Sequence, residues 1–339
     1  MTELAQRPAQ VGGAGPHRGV LLLGAAVAVL LLAVASICVG TRSIAPAEVL
    51  RALLDFSGTD DHVVVRDIRV PRTLLAVVVG AALATAGALI QTLTRNPLAE
   101  PGILGVTAGA GFAIVVTQAL WQSGSQVAQL LAALLGALLA TVAVYAVGRG
   151  SPVRLLLAGV ALSSVLAGLS LGIRLLRPEV FDNYRFWAVG SLAGREQTPL
   201  TLPVLVVLAA LVGALLLSRP LDALALGEHV AHALGAHVVR TRVLVVVLVT
   251  VLAGAATAVA GPIAFVGLIV PHLARRLAQG AVPWLLAFSL LLGPALLLAA
   301  DVLGRLLLPT GEVPVAIVTA FLGAPVLIWV VRRYGTAAL

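Results

Sequence analysis

Arginine side chains at the edges of the apolar segments offer the clearest chemistry in this sequence. Arg69 and Arg72 are three residues apart where an apolar stretch begins, and this spacing places both on one face of a helix. Arg305 ends a later apolar stretch. Guanidinium groups form bidentate, charge-assisted hydrogen bonds with carboxylates, so the three arginines predict a site that receives a carboxylate. The alternative is that each side chain reaches to lipid headgroups.

The segment Arg95–Gly102 is a second polar stretch, and it lies between two long apolar runs. Pro97 and Pro101 lack an N–H and disfavour helix at the residue before them. A helix arriving at Thr94 should therefore stop, and another should begin near Gly102. In lipid, a broken backbone is tolerated only where protein or a water-filled cavity covers it. The break predicts a transport pathway, with an ordinary loop of turn residues as the alternative.

The sequence does not support catalysis by this chain. All 22 basic residues are arginines, so the chain lacks the lysine that a P-loop places over the phosphates of ATP. The single cysteine, Cys38, excludes a disulfide framework and a thiolate metal site. The sequence offers no metal-binding triad, nucleophile–base pair or paired intramembrane carboxylates. We therefore predict a chain that is not an enzyme and holds neither a metal nor a cofactor.

The elements that position these residues are membrane-spanning helices. Hydrophobic residues make up 60% of the chain, and its mean hydropathy is +1.09. Because a spanning helix needs about 20 apolar residues, we predict an all-α polytopic membrane protein with about ten transmembrane helices. A disordered tail, 1–18, precedes one transmembrane domain, 19–339. The apolar segments are 19–40, 72–94, 103–120, 126–148, 154–176, 199–218, 241–260, 264–277, 283–305 and 313–331.

The distribution of arginines predicts the orientation of these helices. If the N-terminus is inside, the inner connections are net basic and the outer connections are close to neutral. Basic residues are enriched in cytoplasmic loops, so both termini are predicted to be cytoplasmic. The net charge of +8 is thus a signal of membrane topology. It does not indicate binding to nucleic acid.

An internal repeat is visible in the small residues. The segment Gly80–Gly87 (GAALATAG) resembles Gly254–Gly261 (GAATAVAG), and the same offset aligns Pro97 with Pro271. Five spans per half is an odd number, so the two halves must run in opposite directions. An inverted repeat with broken helices at matching positions is typical of transporters. We accordingly expect the two breaks to open to opposite sides of the membrane.

One long inner connection, Arg219–Arg242, alternates apolar and polar residues at helical spacing and contains two glycines. This pattern predicts two short amphipathic helices outside the lipid that dock a partner protein. The alternative is a solvated loop.

Four ordered motifs resemble those of FecCD-type permeases, the membrane subunits of ABC importers for iron–siderophores, haem and cobalamin. They are RVPRTLLAVVVGAALATAGALIQTLTRNPLAEPGILGVTAGAG (69–111), NYRFWAVGSLAGR (183–195), GPIAFVGLIVPHLARR (261–276), and Glu312-Val313-Pro314 followed by TAFLGAPVLIW (319–329). The resemblance implies ten helices per subunit and a second permease subunit. It also implies two cytoplasmic ATPases, which bind the ATP and magnesium, and an extracytoplasmic substrate-binding protein.

The resemblance also implies roles for individual residues. Three arginines would dock the binding protein: Arg69, Arg72 and Arg305. A cytoplasmic gate on the translocation path would comprise Asn96, Pro97, Leu98 and Glu100. Coupling to the ATPase would involve Leu226, Gly227, Glu228, Ala231, Leu234 and Gly235.

The sequence thus predicts the permease subunit of an ABC importer for iron–siderophore complexes in the bacterial inner (plasma) membrane. Cobalamin or haem is the alternative substrate. An ion-coupled secondary transporter is disfavoured because the acidic residues, apart from Glu100, lie near helix ends or in loops. The sequence does not determine which siderophore is carried, or whether the partner permease is a second copy or a paralogue.

Overall fold

The computed structural model describes residues 17–40, 42–121, 126–148, 152–194, 200–233, 235, 237–308 and 310–334. These residues form helices and connections, and none of them lies in a β-strand. A π-helical segment, Val64–Arg69, leads into α4, and a 3₁₀ helix, Pro101–Leu104, precedes α5. The α-helices are α1 (His17–Cys38), α2 (Pro46–Leu54), α3 (Asp60–Val63), α4 (Val70–Thr94), α5 (Val106–Trp121), α6 (Gln126–Gly148), α7 (Pro152–Leu176), α8 (Pro178–Ala188), α9 (Thr201–Leu216), α10 (Ser218–Ala225), α11 (Glu228–Ala233), α12 (Val238–Ala260), α13 (Val266–Ala278), α14 (Val282–Leu306) and α15 (Val315–Tyr334).

Six helical segments in the described part of the chain are long and apolar enough to cross a membrane. They are α1, the continuous segment Asp60–Thr94, α6, α7, α12 and α14. Helices α9 and α10 pass the same test together as a bent pair, and α5 and α15 are shorter apolar helices. With α13, these helices account for each of the ten predicted apolar segments. The predicted all-α, polytopic architecture is therefore confirmed.

Helix α4 lies at the centre of the bundle. Nearly all of its residues from Leu75 to Gln91 are buried, whereas α1 and α7 expose rows of leucine and valine as lipid-facing helices do. Small residues allow α4 to approach its neighbours closely. A Cβ atom on Gly80 would lie only 2.6 Å from the carbonyl oxygen of Gly293 in α14.

The two halves use their small-residue segments in the same way. Gly80 brings the second span, α4, against the ninth, α14. Gly254 brings the seventh span, α12, against the fourth, α6, where a Cβ atom would lie 3.2 Å from that of Ala137. The second and seventh spans thus make equivalent contacts, as expected for an inverted repeat of two five-helix halves.

One detail of the prediction is corrected by the structure. The offset that aligns the small residues also aligns Pro97 with Pro271 in the sequence, but the two prolines are not structurally equivalent, because Pro97 follows the end of α4 whereas Pro271 lies inside α13. The disordered tail predicted for 1–18 stays a prediction, although His17 and Arg18 belong to α1. The remainder of that predicted tail lies outside the described residues.

Candidate functional site

The first helix break forms where the prolines predicted it. Helix α4 ends at Thr94, and Arg95 adopts a left-handed conformation with φ of 52°. The Asn96 side-chain oxygen accepts a hydrogen bond from the N–H of Leu98 at 2.9 Å, which fixes the turn. Asn96 is exposed, and Pro97 and Leu98 are partly buried. These three predicted gate residues thus form a tight turn at one end of α4.

Arg95 ties this turn to the short helices of the inner connection. Its guanidinium group donates a hydrogen bond of 2.7 Å to the backbone carbonyl of Leu224 in α10. This hydrogen bond links α10 directly to the break.

The second break lies between α12 and α13. Helix α12 ends at Ala260, and Gly261 and Phe265 both have positive φ, at 77° and 69°. Glycine tolerates a positive φ without steric cost. Phenylalanine does not, so the backbone at Phe265 is strained. The strained residue immediately precedes the first turn of α13.

The two breaks meet at one cavity of about 230 Å³. Glu100 and Gly102 reach it from the first break, and Pro262 and Ala264 reach it from the second. Residues from both breaks thus line the same space. The expectation that the two breaks open to opposite sides of the membrane stays a prediction, because a shared lining does not fix the side to which each break opens. Glu100, predicted as a gate residue, extends away from the turn at Asn96 and into the bundle.

Helix α13 is attached to α4 through a side chain that the sequence analysis did not single out. Pro271 lies inside α13 and lacks the N–H that would bond to the carbonyl of Gly267. The buried Gln91 amide nitrogen donates to that carbonyl at 3.2 Å and to the carbonyl of Leu268 at 3.3 Å. Arg275 donates to the Gln91 side-chain oxygen at 3.2 Å. Gln91 thus supplies the donor that Pro271 removes.

The three predicted docking arginines cluster at the opposite end of α4, as their spacing indicated. They are only 4% to 7% exposed, however. Arg72 donates to both Asp301 oxygens, with a shortest distance of 2.8 Å, and pairs with Glu312 at 2.7 Å. Arg305 pairs with the same Asp301 and donates to the Ser36 carbonyl at 2.7 Å.

Arg69 completes this cluster without a carboxylate partner among the described residues. Its guanidinium group donates to the carbonyls of Ile37 and Cys38, at 2.7 and 2.9 Å, and to that of Arg42. These carbonyls lie at and just beyond the C-terminal end of α1, where the helix dipole favours a cation. All three guanidinium groups are thus bound by groups within the chain. Their role in docking a partner stays a prediction.

The carboxylates of this cluster were missed in the sequence, although one signal was present. Asp301 and Arg305 are four residues apart, the spacing at which side chains on a helix pair. Glu312 lies in the connection after α14, and no local pattern relates it to Arg72, which is far away in the sequence.

The inner connection folds into two short helices, α10 and α11, as predicted. Leu226 is 69% exposed, and Gly227 and Gly235 have positive φ. Glu228 is exposed and accepts a 2.5 Å hydrogen bond from Arg242, which holds the pKa of that carboxyl below its usual range. Ala231 is buried, and its part in coupling to the ATPase stays a prediction. Leu234 lies outside the described residues.

Comparison with known proteins identifies the family to which this chain belongs. The model of the FecCD transport family matches residues 28–333. The chain belongs to the FecCD transport family. Like other members of the FecCD family, it is a multi-pass membrane permease.

Several members of the FecCD family resemble the chain over almost its whole length. It is 48% identical to the ferric enterobactin transport system permease protein FepD of Escherichia coli (strain K12), over 95% of this chain and 98% of that protein. It is 39% identical to the probable siderophore transport system permease protein YfiZ of Bacillus subtilis (strain 168), over 92% and 96%.

A solved structure supports the same fold. It is described as an inward-facing conformation of a protein assigned as a metal-chelate type ABC transporter. It superposes with a TM-score of 0.82 at 30% identity, covering 93% of this chain and 99% of that chain. The break between α4 and α5 and the break between α12 and α13 both lie within the region matched by the FecCD model.

The first prediction concerns the buried charge cluster. We expect Asp301→Asn to lower the free energy of unfolding by about 3–5 kcal/mol, because Arg305 is then buried without a carboxylate. Asp182→Asn is the matched control, since the ion pair between Asp182 and Arg185 is exposed and worth about 0.2–1 kcal/mol. Denaturation of the purified protein in detergent measures both. Equal effects of the two substitutions would contradict the structural role of Asp301.

The second prediction concerns the replacement of a backbone donor by Gln91. We expect Gln91→Met to cost about 1–3 kcal/mol, since it leaves the Gly267 carbonyl buried without a donor. Pro271→Ala restores an N–H that can bond to that carbonyl, so Gln91→Met should cost clearly less in the Pro271→Ala background. A double-mutant cycle of unfolding free energies tests this coupling. Strictly additive effects would show that the two residues act independently.

Proposed function

We propose that this chain is the permease subunit of an ABC importer that carries ferric siderophore complexes into a bacterial cell. The observation that carries the proposal is the 48% identity, over 95% of the chain, to a permease whose name specifies ferric enterobactin. Ferric hydroxamate, ferric citrate and hemin permeases are also among the relatives, at 36–38% identity. The catecholate class of siderophore is therefore the first substrate to test.

The site supports a transport role that needs energy from another subunit. The chain has no lysine for a P-loop, so a separate ATPase must bind and hydrolyse ATP. The helix breaks and the cavity between them supply irregular backbone inside the bundle, which is a feature of transport pathways. The cavity of about 230 Å³ is too small for a whole siderophore complex. We therefore infer that the cargo passes at an interface with a second permease subunit, and that the breaks move to admit it.

The short helices α10 and α11 are the proposed contact with the ATPase. Leu226 and Val230 present exposed apolar side chains there, and a group of such residues outside the lipid marks an interaction surface. The hydrogen bond between Arg95 and the Leu224 carbonyl then provides a direct route from the ATPase to the helix break. The excess of arginine on this side of the membrane supports a cytoplasmic location, with both termini inside.

The arginine cluster remains the proposed contact with the binding protein, but it now includes the carboxylates of Asp301 and Glu312. It contains three guanidinium groups and two carboxylates among the described residues, so one positive charge is uncompensated. The Glu312 side chain is the outermost acid, at 29% exposure. A carboxylate on the binding protein would add to this cluster beside Glu312, close to the Arg72 guanidinium group.

The third prediction tests the function itself. The permease, reconstituted in proteoliposomes with the ATPase and binding protein encoded next to it, should take up ⁵⁵Fe supplied as a catecholate complex when ATP is inside. Ferric hydroxamate, haem and cobalamin serve as competing substrates. Uptake of cobalamin or haem in place of the ferric catecholate complex would refute the substrate assignment. Uptake that follows a proton gradient without ATP would instead support a secondary transporter.

The fourth prediction tests the contact with the ATPase. We expect Leu226→Asp to reduce copurification of the ATPase at least tenfold, because a buried carboxylate without a partner costs several kcal/mol at an interface. Leu50→Asp is the matched control, since Leu50 is an exposed leucine of α2, far from α10 and α11 in the sequence. Unchanged copurification with Leu226→Asp would mean that the ATPase binds elsewhere. The melting temperature of each variant, measured alone, distinguishes a lost contact from a lost fold.

A further inference from the structure

A cleft opens beside the inner end of α12, separate from the cavity between the helix breaks. Helix α9 ends at Leu216, and α10 leaves it at an angle of 50°. Because α10 turns away from the direction of α9, a gap remains between the bend and the first turns of α12. The gap has a volume of about 450 Å³. Its lining includes Leu217, Arg219, Ala223, His237, Arg240 and Leu244.

The charged residues of this cleft lack partners. Neither Arg219 nor Arg240 forms a hydrogen bond or an ion pair with the described residues. Neighbouring arginines differ, since Arg242 pairs with Glu228 and Arg95 binds the Leu224 carbonyl. None of the described residues that line the cleft is acidic. Two unpaired guanidinium groups facing one gap favour a ligand with a phosphate or another compact anion.

Apart from His237 and Thr241, the remainder of the cleft is lined by apolar residues and glycine, and exposed apolar side chains lie beside it. Leu217 and Leu244 line it directly. Leu216 at the end of α9 and Val239 in the first turn of α12 flank it, and they are 75% and 74% exposed. A free phosphate would leave this apolar part unused. A ligand with a phosphate at one end and a hydrocarbon chain at the other fits both parts.

We propose that this cleft binds one anionic phospholipid, with the phosphate between Arg219 and Arg240 and an acyl chain along Leu244. Basic pockets between transmembrane helices on the cytoplasmic side are suited to such headgroups. The lipid would hold the bend between α9 and α10 in place. Since α10 also carries the carbonyl that Arg95 binds, the lipid would stabilise the position of the helix break.

The test measures binding of lipid to the full-length permease in detergent. Phosphatidylglycerol and phosphatidylcholine with identical acyl chains are titrated, and bound lipid is counted by native mass spectrometry. We expect phosphatidylglycerol to bind more tightly. Arg219→Gln and Arg240→Gln should each weaken it roughly fivefold, and the double variant roughly 30-fold, because each basic residue contributes separately near an anionic headgroup. Binding of phosphatidylcholine should not change.

The matched control is Arg154→Gln, which removes an exposed arginine at the start of α7, outside the cleft. It should leave the affinity for phosphatidylglycerol at the wild-type value. An equal loss of affinity in this control would show a general effect of net charge and overturn the proposal. Wild-type affinity in the Arg219→Gln/Arg240→Gln variant would also overturn it.

Two further arms separate the alternative occupants. If inorganic phosphate at millimolar concentration displaces phosphatidylglycerol, the cleft is an anion site without a lipid component, and the proposal fails. If the double variant keeps its lipid but loses copurification with the ATPase, the arginines contact protein instead, and the proposal fails as well. Neither result bears on the transported substrate, since lipid binding is measured without cargo.

Discussion

The close approach of α4 to its neighbours is the constraint on which the rest of the structure depends. Gly80 lies against the backbone of Gly293 in α14, and Gly87 lies against that of Gly267 in α13. Without side chains between them, the helix backbones pack at a distance that larger residues would prevent. This geometry brings Gln91 within reach of the Gly267 carbonyl and Arg72 within reach of Asp301. One small-residue helix therefore positions the polar contacts at both of its ends.

The two ends of α4 use polar groups for different purposes. At one end, arginines and acids form a compact buried cluster. Removing these charges from water costs free energy, and the specific ion pairs between them offset part of that cost. At the other end, Gln91 replaces a backbone donor that Pro271 removes, and Arg95 connects the break to α10. Single hydrogen bonds of this second kind are weaker than buried charge pairs. The end with the helix breaks is therefore better suited to movement, which agrees with a role in gating.

Much of the fold could be predicted because hydrophobicity along the chain directly reports membrane-spanning helices. The ends of α4 and α12 fell within three residues of the predicted segments. Pro97 and Pro101 determined where α4 stops, since they act through local backbone chemistry. The contacts of the arginine cluster were less predictable. The spacing of Arg69 and Arg72 indicated a shared face, yet the acids that face them come from α14 and the connection after it.

The sequence by itself determined the spanning helices, the helix breaks, the short inner helices and the shared helix face of Arg69 and Arg72. Each of these follows from local composition or from spacing within one helix. Only the tertiary structure decided that both breaks line a single cavity, that Gln91 binds the carbonyl opposite Pro271, and that the arginines are buried. These facts depend on how distant segments are placed against each other. That placement is set by the packing of small residues between helices, which a pattern along one chain does not reveal.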